Sequence, residues 1–195
     1  NYSNTMTVTG ALQVNPLAVS AVVTSSVTKA YDATLRMNAM TLGITGAIPG
    51  DVVNASGTGA YASKDVGTGL TYNVVNIGLS GADARNYVLT DSVSRTPSNT
   101  LTASNGVITA VPLMVTANNA SKTYDGTAYA GSEGVTYSGF VSNEDASVLT
   151  GALSYGGSAI GAINAGTYSI VSSGLSSNNY AISYTNGSLI ISPAG

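Results

Sequence analysis

The sequence predicts an all-β protein: an elongated tandem of two small antiparallel β-sandwich modules, Ig-like or β-grasp-like, with at most one short helical turn near 143–149. Three observations carry this expectation. Apolar and polar residues alternate over short runs rich in Val, Ile, Thr and Tyr, the period of a half-buried pleated strand. Turn signals such as Pro49-Gly50-Asp51, Asp125-Gly126 and Gly156-Gly157 separate these runs, at roughly the eight-to-twelve-residue spacing of small β-modules. The chain also repeats itself, and a fixed internal period fixes the architecture before any local reading does.

The repeat is carried by markers in the same order in both halves. KAYD at 29–32 returns as KTYD at 122–125, so that Tyr31 and Tyr124 stand 93 positions apart. Gly46 and Gly139, each followed by an apolar residue and an acidic turn (GAIPGD, GFVSNED), keep the same spacing, as do Tyr87 and Tyr180 of the two Asn-Tyr pairs. A closing pattern of Gly, alternating apolar residues and Pro ends at Pro16, Pro112 and Pro193. These closings divide the chain into 1–16, the final strand or strands of a preceding module, then modules over 17–112 and 113–195. The opening NYSN is no basic and apolar leader, so a segment of something longer is expected.

Within the modules, Leu12-Gln13-Val14, Leu113-Met114-Val115, Thr167-Tyr168-Ser169-Ile170 and Tyr180-Ala181-Ile182-Ser183-Tyr184 alternate and predict strands. The stretch from Tyr180 to Ile191 predicts a hairpin, because Asn186-Gly187 accepts the positive φ that a two-residue loop demands. Asn143 to Leu149 is the one helix-like stretch, with Glu144 and Asp145 where an N-terminal dipole favours acids. Tyr supplies nearly all aromatic bulk, 12 residues against a single Phe, and suits thin cores in which a ring is buried and a hydroxyl reaches the edge.

Composition narrows the function. Charged residues make up 8% of the chain, against roughly 25% in ordinary soluble domains. Without Cys, His or Trp, thiol nucleophiles, imidazole bases and the commonest metal ligand are all missing. With six cations, nine acids and a net charge of −3, no basic field exists to gather phosphates, and nucleic acid is not expected as a partner. The longest apolar runs, such as Leu17 to Val23, are far shorter than the ~18 residues of a membrane-spanning helix, and no membrane insertion is expected.

Residues 29–90, from KAYDATLRMNAMTLGITGAIPGD to GADARNYVLT, resemble the YDG repeat of large bacterial surface proteins, with Ala33 in place of the Gly that gives the repeat its name. KTYDGTAYA, SGFVSNEDASVLTG and GTYSIVSSGLSSNNYAISYTNGSLIISP, through Pro193, resemble the related MBG repeat. This resemblance implies a non-enzymatic, extracellular segment of a filamentous-haemagglutinin-like bacterial surface adhesin, a stalk or spacer or an adhesive surface, usually exported by a two-partner or related secretion route. Its partners would be neighbouring modules of the same polypeptide and a host or cell-surface glycan or protein. The alternatives are a self-associating fibre or biofilm-matrix component, joined by edge strands, and a carbohydrate-binding module using Tyr61, Tyr129, Tyr137 and Tyr155.

The candidate residues are mainly structural markers: Tyr31, Asp32, Tyr87, Tyr124, Asp125, Gly126, Tyr180, Asn186 and Gly187. Each Tyr of a Tyr-Asp pair is expected as a core anchor, and each Asp as the acceptor of backbone N–H groups in the turn that follows. Lys29 and Lys122 share the strand face of the Tyr and are expected to reach its rim. No catalytic, cofactor or metal residues are expected. Calcium is the cation such acids would suit, yet no D-x-D-x-D-G loop occurs. The one candidate recognition loop is an insertion: Tyr87 and the closing Gly106 are 19 positions apart, where Tyr180 and Gly187 are 7 apart. It carries Asp91, Arg95, Asn99 and Asn105, and loops on rigid scaffolds are where recognition concentrates.

Overall fold

The computed structural model describes residues 10, 13–37, 39–131 and 133–195. Most of the strand expected over 1–16 falls outside them. In chain order the strands are β1 (Leu17–Val23), β2 (Thr28–Ala30), β3 (Leu42–Thr45), β4 (Asn54–Tyr61), β5 (Gly67–Ser80), β6 (Tyr87–Leu89), β7 (Leu101–Thr109), β8 (Val111–Ala117), β9 (Ala120–Thr123), β10 (Val135–Ser138), β11 (Thr150–Gly156), β12 (Gly166–Ser176), β13 (Tyr180–Thr185) and β14 (Gly187–Ser192). The protein is all-β. The helix-like stretch is a single 3-10 turn at Ala146–Val148, capped by the Asp145 carboxylate, which accepts from Ser147 N–H at 2.8 Å. A second 3-10 turn, Ala84–Asn86, precedes β6.

The chain forms two compact units. One comprises Asn1–Ser26, Met37–Ala60 and Tyr72–Ala103, the other Val27–Arg36, Tyr61–Thr71 and Ser104–Gly195. In the first unit the strands run β5-β4-β3-β1-β6, and Val19, Ala21, Tyr72, Val74, Ile77 and Tyr87 are buried. The second unit holds the β2–β7 pair, a three-stranded sheet β10-β8-β13 and a four-stranded sheet β11-β12-β14-β9. Strand β12 packs against β8 and β13. The core there is formed by Ala117, Tyr129, Ala159, Ala162, Ile170, Leu189 and Ile191.

The two repeats share one pairing scheme. Each opening strand, β1 or β8, has an antiparallel neighbour on one side (β3, β10) and a parallel one on the other (β6, β13). The next strand, β2 or β9, pairs in parallel with the closing strand, β7 or β14. This corrects the expectation of antiparallel modules: the pairing is mixed. The first strand of a repeat runs parallel to the last but one and the second parallel to the last, and the intervening strands provide the long crossover that parallel neighbours require.

The predicted hairpin is also corrected. Asn186-Gly187 joins two strands, but β13 pairs with β8 while β14 pairs with β12 and β9, so the link passes between sheets. Neither residue has a positive φ. Gly187 is required for close approach instead, because a Cβ there would lie 2.6 Å from the backbone oxygens of both Ala117 and Asn118.

Candidate functional site

The K-x-Y-D signature folds into the same turn twice. Asp32 Oδ1 accepts from Thr34 N–H at 2.9 Å and from Lys29 Nζ at 2.6 Å. Asp125 Oδ1 accepts from Thr127 N–H at 2.9 Å and from Lys122 Nζ at 2.8 Å. Both Asp residues thus close Asx turns, and each Lys also donates to the carbonyl of the following Thr, Thr34 or Thr127. Partial burial raises the Asp32 carboxyl, but the bonds from Lys29 and Thr34 outweigh it and hold the group below the ordinary range. The Lys122 ammonium does the same for Asp125, with Thr127 adding to it. The rim position expected for the cations is wrong for Lys29, which is buried. It has an ion pair, two acceptors on Thr34 and the Tyr61 ring 5.6 Å away to replace its water.

The turns differ in what covers them. Tyr31 is 2% exposed, whereas Tyr124 is 42% exposed, which corrects the expectation that both are core anchors. Tyr31 is covered by the second repeat. Its hydroxyl donates to Glu144 Oε1 at 2.7 Å, and Tyr180 donates to Glu144 Oε2 at 2.6 Å. The two rings meet edge to face at 5.6 Å, and Phe140 meets Tyr180 in the same manner at 5.3 Å, a favoured quadrupolar arrangement. Lys64 Nζ lies 3.4 Å from Glu144 Oε1. Beside this centre, Asn179 accepts from Val66 N–H at 2.9 Å and donates to Asp65 at 3.0 Å, while Ser142 donates to the Asp32 carbonyl.

Short phenol-to-carboxylate bonds are charge-assisted and strong. Burial, followed by the bond to Glu144, pushes the hydroxyls of Tyr31 and Tyr180 up to about 12. Burial also pushes the Glu144 carboxyl up, but donation from Tyr180, Tyr31 and Lys64 holds it below its ordinary range. With both oxygens engaged by phenols, the carboxylate is arranged to hold two chain segments together.

Tyr180 is built into this clamp by Val141, whose N–H donates to the Tyr180 hydroxyl at 3.1 Å. The first repeat has the same construction 93 positions earlier. Ile48 N–H donates to the Tyr87 hydroxyl at 3.0 Å, and that hydroxyl donates to Asp51 at 2.5 Å. Of the clamp, the sequence marked Tyr31, Asp32, Tyr87 and Tyr180, but not Glu144 as their acceptor. The available signal was an acid in the same turn of both repeats, Asp51 and Glu144, each at a fixed distance from the Asn-Tyr pair.

The insertion of the first repeat is shorter than expected and folded on itself. Asp91 accepts from Val93 and Ser94 N–H at 2.8 and 2.7 Å, which holds its carboxyl below the ordinary range. Thr90 bridges Pro97, and Arg95 adopts a positive φ of 56° while its N–H bonds the Asp91 carbonyl. Asn99 gives its carbonyl to Ile77 N–H, and Asn105 lies within β7. Of the four candidates, the turn brings together Asp91 and Arg95. Of the tyrosines considered for carbohydrate, Tyr61 and Tyr129 are buried, and Tyr137 and Tyr155 are half-buried. Among the described residues, no group of three acids is placed to hold a metal ion.

Residues 4–95 match the family model of the YDG domain, and residues 113–190 that of the MBG domain (YGX type). No curated protein and no solved structure shows a significant match.

Proposed function

We propose that this pair of YDG- and MBG-type repeats is a non-enzymatic spacer segment of a bacterial surface adhesin, acting outside the cell by fixing one repeat against the next. The observation that carries this reading is the clamp in which Glu144 of the second repeat receives Tyr31 of the first and Tyr180 of its own. A spacer transmits position and load from one module to its neighbour, and a partly buried carboxylate bonded by two phenols resists rotation about the junction. The candidate loop spends the Asp91 carboxylate and the Arg95 N–H on its own turn, which supports a holding role over recognition. An adhesive surface, a self-associating matrix component and a glycan-binding module are the rival readings.

Two measurements test the proposal. Glu144→Gln keeps the shape but removes the charge, and is expected to cost about 1.5–3 kcal/mol, the range for hydrogen bonds to charged groups. It should also speed hydrogen exchange at the Tyr31–Asp32 turn; unchanged exchange there would remove the clamp from the argument. In the exported protein that carries the segment, replacement by an unrelated β-module pair of equal length should leave adhesion intact. Lost adhesion with normal display would assign recognition to this segment.

A further inference from the structure

We propose that the cleft between the Asp65–Val66 loop and the end of the β11–β12 pair at Thr150 and Ser176 binds a neutral saccharide, as a mono- or disaccharide unit. The inference goes beyond the spacer reading: it assigns a small-molecule site beside the clamp, which holds the two repeats together whether or not the site is filled.

Three observations carry it. First, the cleft has a suitable size and an interior position. It encloses about 330 Å³, within the ~300–1,000 Å³ of small-ligand pockets. One wall is the loop between β4 and β5; the other is the 3-10 turn at Val148, the start of β11 and the link from β12 to β13. Both repeats that meet here are present, and the cleft stays open with the Tyr31-to-Glu144 bond made. Second, the walls are set before a ligand arrives. Asn179 accepts from Val66 N–H and donates to Asp65 Oδ1. Ser177 Oγ accepts from the N–H groups of Asn179 and Tyr180 at 3.1 and 3.3 Å. A site already ordered takes little of the binding energy for its own assembly.

Third, the lining suits one class of ligand. Asp65 accepts once at each oxygen, from Asn179 and, at 3.3 Å, from Ser63, and a carboxylate has about four acceptor positions. The Thr150 and Ser176 hydroxyls share one bond of 2.8 Å and keep acceptor capacity beyond it. The Asn178 side chain is exposed and bonds none of the described residues, which leaves its amide donors and its carbonyl acceptor for a ligand. Val66 and Val148 add an aliphatic wall, half-buried and exposed respectively. A molecule that both donates and accepts hydrogen bonds around its edge and has a C–H face to lay on valine is a sugar ring. No cation lines the cleft, and Lys64 is engaged on Glu144, so the Asp65 charge turns away phosphate, sulfate and uronate groups. One carboxylate is also too little for calcium, which takes about six to eight oxygens.

The test is titration of the whole chain, followed by amide NMR, with glucose, galactose, mannose, N-acetylglucosamine and maltose from about 1 to about 50 mM, the range a single shallow site requires. At least one of these should saturably shift the amides of Asp65, Val66, Thr150 and residues 176–179. Glucuronate adds a negative charge, and sorbitol has the hydroxyls without the ring; each should bind more weakly than the best neutral sugar by about fivefold or more. Asn178→Ala removes an unpartnered exposed side chain. It should leave the melting temperature unchanged and weaken the best sugar by about three- to tenfold, the loss of one ordinary hydrogen bond. No saturable shift with any of the sugars, shifts centred elsewhere on the surface, equal binding of sorbitol or glucuronate, or binding indifferent to Asn178→Ala would overturn the proposal. Glu144 does not line the cleft, so Glu144→Gln and hydrogen exchange at the Tyr31–Asp32 turn decide the spacer reading separately.

Discussion

Ala33 and Gly126 occupy the same place in the two K-x-Y-D turns, and both have left-handed backbone, φ 61° and 74°. A Cβ built on Gly126 meets nothing within 4 Å, so the difference between the residues is one of backbone energetics and not of packing. An L-residue pays about 1–2 kcal/mol in this region, and Gly gives back about 0.5–1 kcal/mol through the greater freedom of its unfolded chain. Ala33→Gly should therefore raise stability by about 0.5 kcal/mol, and Gly126→Ala should lower it by a similar amount, both read from chemical denaturation midpoints at constant slope. The Asp and Lys of this turn were legible because their work is local, within five residues of sequence. The exposure of Tyr124 was not, because burial of this Tyr depends on a surface more than a hundred residues away, as Tyr31 and Glu144 illustrate.

Among the elements, strands were legible and their partners were not. Alternation in Tyr180–Thr185 and Gly187–Ser192 correctly marks two strands, but the same alternation suits any sheet with one buried face. Their separation follows from their core contacts: Leu189 and Ile191 of β14 belong to the core of the second unit, and β13 follows β8 in parallel register from Tyr180 opposite Val111. Asn-Gly is a strong hairpin signal only while both strands stay in one sheet. Gly187→Ala distinguishes the two roles of this glycine. In a hairpin turn the cost would be about that of a positive φ; here the new methyl meets two carbonyl oxygens that belong to backbone, and a loss of more than about 2 kcal/mol is expected, within the range for overpacking. A melting point unchanged within error would show that the link can move aside.

At the scale of the whole molecule, stability should form a plateau in pH with clamp chemistry at both edges. Glu144 is held below its ordinary value of 4.5, so the folded state favours the charged form. That contribution is complete above this value and is lost as the pH falls below it. Tyr31 and Tyr180 are raised from 10.0 to about 12, so their contribution is complete below 10 and is lost as the pH climbs towards 12. Melting temperature measured against pH should fall in both limbs. Glu144→Gln should flatten part of the acid limb, the remainder belonging to Asp32, Asp91, Asp125 and Asp145, which are also lowered. Tyr31→Phe should flatten part of the alkaline limb, the remainder belonging to Tyr180 and to Tyr72, Tyr87, Tyr129 and Tyr137, which are also raised, and an unaltered limb would place its titration elsewhere. The recurrence of one pairing scheme at this scale was legible from spacing alone, because duplication copies spacing. The mixed strand directions were not, since a period says that a pattern recurs and nothing about which strands lie side by side.

The Tyr31-to-Glu144 bond gives the pair of repeats a polarity: the first donates forward from its hydroxyphenyl turn and the second accepts behind at its acid. A row of such copies, however long, ends in one unmatched donor and one unmatched acceptor, and its two termini are chemically unlike. Termination is therefore a separate requirement from propagation, met in stacked-repeat proteins by capping units with a polar outer face. A front cap would have to cover an aromatic ring, and a rear cap a carboxylate set among Ile48, Arg85 and Tyr87.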